Sequence, residues 1–198
     1  MTCYSAGMGL LHRLRKRAFD LVGASASLVV TGPVVALAAA ATRVEVGTPV
    51  FERVLRAGRG GEPFAMWQLR THGRTELGAW LRATGIAHLP ALWNVVRGEM
   101  SLVGPRPVHP QYAALAPARG ALKPGLTGWA QLHGARGKSW DDEQALDRWY
   151  LDHATLTVDL LVIARTIIDH VRKPTDPERG APEHDLDDAA TSPAAVMN

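Results

Sequence analysis

The sequence predicts an α+β protein that is mostly helical: a membrane re-entrant helix-break-helix, then a small cytoplasmic domain with a short β-hairpin and several amphipathic helices. Three observations predict it. Residues 21–42 carry no charge. Two short apolar-containing segments flank a glycine cluster at Gly58–Gly61. Apolar residues recur at helical spacing in "TELGAWLRAT", "SWDDEQALDRWYLDHA" and "TLTVDLLVIARTIIDHVRK". A chain of 198 residues holds one compact domain with additions rather than two domains.

The membrane element comes first. The uncharged run from Leu21 to Thr42 is 22 residues long, and about 20 suffice to cross a bilayer. A helix apolar on every side has little to hide behind in so small a chain, so lipid is the expected neighbour. A basic segment precedes the run, which does not fit a cleavable signal peptide. Thr31-Gly32-Pro33 interrupts it, because proline removes a backbone donor and crowds the preceding turn. Basic residues stand on both sides ("HRLRKR" and Arg43), so the positive-inside rule favours neither spanning orientation. That symmetry suits a hairpin returning to one leaflet over residues 21–44.

Residues 1–20 form a basic amphipathic segment. Leu10, Leu11, Leu14, Ala18 and Phe19 fall near one face and the Arg/Lys cluster opposite, as in a helix lying on an anionic membrane. The net charge of +3 suggests an anionic partner. Nucleic acid is not expected, since the basic cluster abuts the bilayer segment. The single Cys3 makes no internal disulfide, which fits a reducing compartment.

The domain proper is expected over residues 45–173. "PVFERVLRAGRGGEPFAMWQLR" reads as a hairpin turning at Gly58–Gly61. A helix follows with Leu77, Trp80 and Leu81 inward, and another opens near Thr84 or Gly85 with Pro90 in its first turn. After "VGPRP" come a short helical piece near Tyr112 and an extended stretch, "KPGLTGWAQLHGARGK". Ser139 with Asp142 makes a capping-box-like helix start. The last helix sets Leu160, Leu161, Ala164, Ile167, Ile168 and Val171 on one face. Residues 174–198, acidic and nearly without large apolar side chains, are expected to be disordered.

Arginines carry the chemistry. Arg56 beside Gly58 and Gly61, Arg70 after Trp67, and Arg106 between Pro105 and Pro107 supply fixed guanidiniums suited to a diphosphate. Histidines show no metal-ligand spacing such as H-E-x-x-H, so zinc is not expected. Trp93, Trp129 and Trp140 could line a site, although tryptophan more often serves core or membrane interface.

In order, "KRAFD", the proline-interrupted apolar run, "GTPVF", "LRT", "LPALWNVVRGEMSLVGPRP", "KPGLTGWAQ" and "LDRWYL" resemble the bacterial sugar transferases over residues 14–170. These are small monotopic phosphoglycosyl transferases of the bacterial cytoplasmic membrane, facing the cytoplasm. The resemblance implies an enzyme that takes a nucleoside-diphosphate sugar (NDP-sugar). An aspartate attacks the phosphate next to the sugar and releases UMP. Polyprenol phosphate then displaces the covalent sugar phosphate, which begins exopolysaccharide or glycoconjugate synthesis. It also implies Mg2+ and an adjacent Asp-Glu dyad. Arg70, Arg82, Arg106, Asp147 and Tyr150 agree with the family pattern, and Glu99 conserves an acid of the "GDMS" block as a metal candidate.

One departure stands out. The family's dyad immediately precedes "LP-x-LWNV", where this chain has Ala87 and His88. Gln68, Leu55 and His133 depart too. Alanine carries no nucleophile, so the usual covalent step cannot run at position 87. Three readings stay open: His88 as a substitute phosphoryl acceptor, a retained cradle with the chemistry lost or altered, or turnover on another acid such as Glu99 or Asp147. In the second, the chain is a non-catalytic membrane-anchored partner of a glycan-assembly enzyme, a sister transferase or a second copy of itself.

Overall fold

The computed structural model describes residues 10–71, 75–115, 119–133, 139–172 and 175. Expectations for Cys3, for residues 134–138 and for the tail beyond 175 fall outside these residues.

Helix α1, Leu10–Glu45, is 36 residues long, a path of about 54 Å at 1.5 Å per residue. It runs through both the basic segment and the Thr31-Gly32-Pro33 interruption. Pro33 lies inside a continuous helix, although its missing N–H still deprives the Val29 carbonyl of a partner. The helix meets the rest of the protein through small residues. Ala24, Ala38 and Thr42 are buried, whereas Val29, Val30, Leu37 and Val44 are 74–89% exposed. At Gly23 a Cβ would come within 2.6 Å of Leu102, so glycine is what lets α1 cross there.

Part of the basic cluster of α1, set opposite the leucines, meets the domain. Leu11 and Leu14 are exposed, and Lys16 and Arg17 turn toward the domain. Arg17 donates to the carbonyls of Val95 and Val96 at 2.6 Å each, where a helix end has acceptors to spare.

Strands β1 (Phe51–Ala57) and β2 (Pro63–Leu69) form the expected antiparallel hairpin, with Phe51 opposite Leu69 and Ala57 opposite Pro63. Its turn uses Gly60 and Gly61 at positive φ. Helix α2 (Glu76–Ala83) starts at an N-cap Thr75. Leu81 is buried there, but Trp80 is 48% exposed. Trp80 sits a third of a turn from Leu81, so an eight-residue helix cannot bury both. A 3-10 turn, Ile86–Ala91, leads into α3, Leu92–Arg97.

Two strands were not expected. β3 (Ser101–Val103) and β4 (Gly125–Thr127) pair in parallel, Ser101 with Gly125 and Val103 with Thr127. They bind the "VGPRP" and "KPGLTG" segments backbone to backbone: Gly104 N–H donates to Thr127 O, and Gly125 N–H to Pro105 O. A Cβ on Gly125 would collide with the backbone of Gly104. Three helices complete the fold: α4 (Trp129–Leu132), α5 (Trp140–His153) and α6 (Leu156–Arg172). Ser139 caps α5 through Asp142 N–H, as expected.

The main core gathers Met66, Leu92, Val95, Met100, Val103, Tyr150 and Val162 against Ala24 of α1. A smaller cluster joins Ala38, Leu69, Leu81 and Ala87. Helix α6 buries Asp159 and Val162 but leaves Leu160, Ile167 and Val171 more than half exposed. That apolar stripe is covered by nothing in the described protein.

Candidate functional site

Position 87 is closed. Ala87 is 2% exposed and packs with Ala38, Leu69 and Leu81, with Val50, Leu77 and Ile86 around them. His88 is half-buried in the 3-10 turn, its N–H bonded to Gly85 O. That turn is six residues long with a glycine N-cap and no side-chain cap.

The predicted arginines separate into two groups. Arg70 and Arg82 stand near position 87 and brace backbone: Arg70 donates to Thr48 O at 3.0 Å and Arg82 to Thr71 O at 2.5 Å. Arg106 instead lines a small cavity with Gly58, Gly61, Gly120 and Arg119. Arg56, half-buried on β1 opposite Phe64, does not line it. The Ala57 N–H bond to Val108 O ties the hairpin to the Arg106 segment. About 20 Å³ is free there, room for one water or one phosphate oxygen.

Arg119 is the arginine that sequence reading missed. Its Nε donates to Asp147 at 2.6 Å, its Nη2 lies 3.2 Å from Glu143, and its guanidinium stacks 4.5 Å from the Trp140 ring. Side-chain exposure is 5%, yet neither Nη atom makes a hydrogen bond. A buried guanidinium with donors to spare, beside Arg106, suits an anion's oxygens. Desolvation pushes Asp147 up to about 6; Arg119 opposes that shift and Glu143 adds to it. The acids at 143 and 147, one turn apart on α5, were the available signal.

Tyr150 is buried, and its hydroxyl donates to Asp159 at 2.6 Å and lies 3.2 Å from Val103 O. It lines a different and larger cavity of about 270 Å³. Glu99 accepts from Asn94 Nδ2 at 2.7 Å and lies 3.5 Å from Arg97. Asn94 also joins Ala65 O and Trp67 N–H, so Glu99 belongs to the brace between α3 and β2. Of the tryptophans, Trp140 covers Arg119, Trp129 stacks on Trp149 at 4.1 Å, and Trp93 is half exposed.

Magnesium requires hard oxygen donors. Position 87 offers a methyl group, and among the described residues no three His, Cys, Asp or Glu side chains form a group able to hold a metal. At position 87, where the family pattern has a carboxylate, the residue present does not fit the ion, and Glu99 is held by Asn94 and Arg97.

The chain thus joins a helix long and apolar enough to cross a membrane to a small domain whose two cavities are lined in part by arginines. The chain belongs to the bacterial sugar transferase family, which it matches over residues 11–173. It is 36% identical to the uncharacterized sugar transferase EpsL of Bacillus subtilis, across 77% of this chain and 85% of that one. It is 39% identical to the UDP-glucose:undecaprenyl-phosphate glucose-1-phosphate transferase of Caulobacter vibrioides, across 78% and 68%. With the exopolysaccharide production protein ExoY of Rhizobium meliloti the identity is 30%, across 78% and 84%.

Proposed function

We propose that this chain is a membrane-associated member of the family that retains a phosphate cradle and lacks the carboxylate-based covalent step. It binds a nucleoside-diphosphate sugar and a polyprenol phosphate without exchanging them, and acts in exopolysaccharide or glycoconjugate assembly beside an active transferase at the cytoplasmic face of the inner membrane. One observation carries this reading: the side chain at position 87 is a methyl group sealed in an apolar cluster. The site therefore lacks the attacking oxygen and also the opening through which a diphosphate would reach one. His88, one residue on, would need to swing into the same place, and a misplacement of about 1 Å costs on the order of 100-fold.

The chain's own groups support binding. Arg106 and Arg119 offer guanidinium donors to phosphate oxygens, and Asp147 and Trp140 hold Arg119 in place. The exposed valines of α1 and the open apolar stripe of α6 support a seat in the membrane surface. The basic flanks of the apolar run of α1 favour neither spanning orientation.

The test uses the full chain in detergent micelles with UDP-glucose and a polyprenol phosphate. Calorimetry should show UDP-glucose binding, and UMP release should stay at the level of heat-killed protein. UMP above that control, or a sugar-phosphate adduct on His88 by mass spectrometry, would overturn the reading.

A further inference from the structure

One edge of the hairpin is left open, and the hydrogen bonds around it show which backbone groups lie there. Asn94 accepts from the Trp67 N–H and donates to the Ala65 carbonyl, so odd-numbered residues of β2 turn away from β1. Arg70 N–H donates to Val50 O across the hairpin, whereas Ala57 N–H leaves it for Val108 O. In an antiparallel pair the two groups of a residue point the same way and alternate along the strand. Glu52, Val54 and Arg56 therefore bond to β2, while Phe51, Arg53, Leu55 and Ala57 point outward.

Val108 closes this outer edge at Ala57 only. Among the described residues nothing bonds to the outward groups of Phe51, Arg53 and Leu55. The sheet ends there with two strands, one short of the three that usually make a sheet stable. Nor is the edge blunted in the usual ways. Phe51 is 39% and Leu55 50% exposed, and neither proline nor bulge interrupts the strand.

The strand is complementary to itself. Laid antiparallel against a second copy about Val54, it sets Glu52 opposite the copy's Arg56, and Arg56 opposite the copy's Glu52. Arg53 and Leu55 then face each other across the join and exchange their outward bonds. Sliding one copy by two residues puts Arg53 against Arg53, and like charges directly opposite are destabilising. Sliding it the other way calls on the Ala57 N–H that Val108 already holds. Charge and hydrogen bonding thus select one register. Glu52 and Arg56 also hold contacts within the chain, Glu52 with Gln68 at 2.6 Å; the copy brings each an opposite charge, never a like one. On the other face the two Leu55 side chains fall diagonally across the axis. Each lies beside the copy's Arg53, whose guanidinium covers Trp67 at 4.3 Å.

We infer that β1 is a self-pairing edge, through which two copies of this chain join their hairpins into one antiparallel sheet, β2-β1-β1-β2. The two Gly58–Gly61 turns stand at opposite ends of that sheet, each with the Arg106 pocket tied to it through Ala57 and Val108. The inference needs neither turnover nor a bound ligand.

The test follows the oligomeric state of the full chain in micelles by light scattering corrected for detergent. The wild type should be dimeric at micromolar concentration. Leu55→Pro removes an N–H that only the copy uses. It should raise the dimer dissociation constant about tenfold or more, the worth of two hydrogen bonds. Glu52→Arg alone and Arg56→Glu alone set like charges across the axis, and each should be monomeric. Mixed in equal amounts, the two variants regain opposite charges at both places and should dimerise. Misfolding of either variant cannot produce that recovery. The register is read with Val54→Cys in a Cys3→Ser chain. Its Cα should lie about 4.5 Å from that of the copy, within disulfide reach, so it should cross-link without reductant. Phe51→Cys, near the strand end, should not. A monomeric wild type, dimers indifferent to Leu55→Pro, no recovery on mixing, or cross-linking at Phe51 in preference to Val54 would overturn the inference.

Discussion

Helix α1 is flanked by two buried knots of opposite character. Around its first turns, Lys16, Asp20, Ser101, Tyr150 and Asp159 form a polar network in which each carboxylate has a cation and a hydroxyl. Near its other end, Ala38 meets Leu69, Leu81 and Ala87 in a cluster of apolar side chains. The family resemblance places the reactive carboxylate in the second knot, yet charge survives only in the first. A carboxylate can be lost from a site while the fold persists if the space closes over an apolar side chain. It cannot be lost from a network that shares a single lysine among two acids without stranding the rest. The phosphate binding proposed for this chain is therefore sought at the arginine-lined pocket and not at position 87.

The comparison breaks most decisively at Lys16. Lys16→Met strands Asp20 and Asp159, whose side chains are 4% and 2% exposed, without their shared cation. Removing one partner of a buried ion pair typically costs about 3–5 kcal/mol, and denaturant unfolding in micelles should show a loss of that size. A loss under 1 kcal/mol would mean that the network is hydrated and not a knot. The converse experiment puts charge into the apolar knot. Ala87→Asp, alone or with His88→Glu, should destabilise by roughly 3 kcal/mol as a carboxylate is forced among alanines and leucines. Neither variant should release UMP from UDP-glucose. Release by the double variant would show that the cluster opens and that only the attacking oxygen is missing.

Much of this fold was legible in the sequence, for local reasons. The hairpin announces itself through glycines that accept positive φ, and α5 through a serine whose hydroxyl takes the N–H three residues on. Periodicity found the apolar stripe of α6 but could not say whether protein or lipid covers it. It set the Lys16 and Arg17 cluster opposite the apolar face but could not say what those cations meet, because amphipathicity does not reveal a cation's neighbour. The parallel pair β3–β4 escaped notice: strands of three residues carry no alternation, and their pairing spans a 3-10 connection. In the site, Arg106 and its glycines were readable from the Pro-Arg-Pro turn. Arg119 was not, because its partners lie on α5, far away in sequence.

The contrast sharpens at a third buried acid, Asp147. It has Arg119 but no hydroxyl donor, and desolvation pushes it up to about 6 from 3.8. The folded chain then holds this proton more tightly than the unfolded one. Its contribution to stability is full below about pH 4 and is lost as pH rises through about 6. Two pKa units correspond to on the order of 2–3 kcal/mol. The stability difference between wild type and Asp147→Asn should therefore shrink by that amount from pH 4 to pH 7 and stay flat above. A difference independent of pH would mean that Arg119 keeps Asp147 ionised throughout.

The smallest expected effect separates holding Arg119 from charging it. Trp140 covers the guanidinium at 4.5 Å, and such a contact contributes about 0.5–1 kcal/mol where partly exposed. Trp140→Leu keeps apolar cover but removes the ring face, leaving the Asp147 and Glu143 contacts in place. Stability should fall by about 1 kcal/mol or less. Arg119 would gain freedom beside Arg106, so UDP-glucose affinity should drop a few-fold. An unchanged affinity would mean that Asp147 and Glu143 alone hold Arg119 in place.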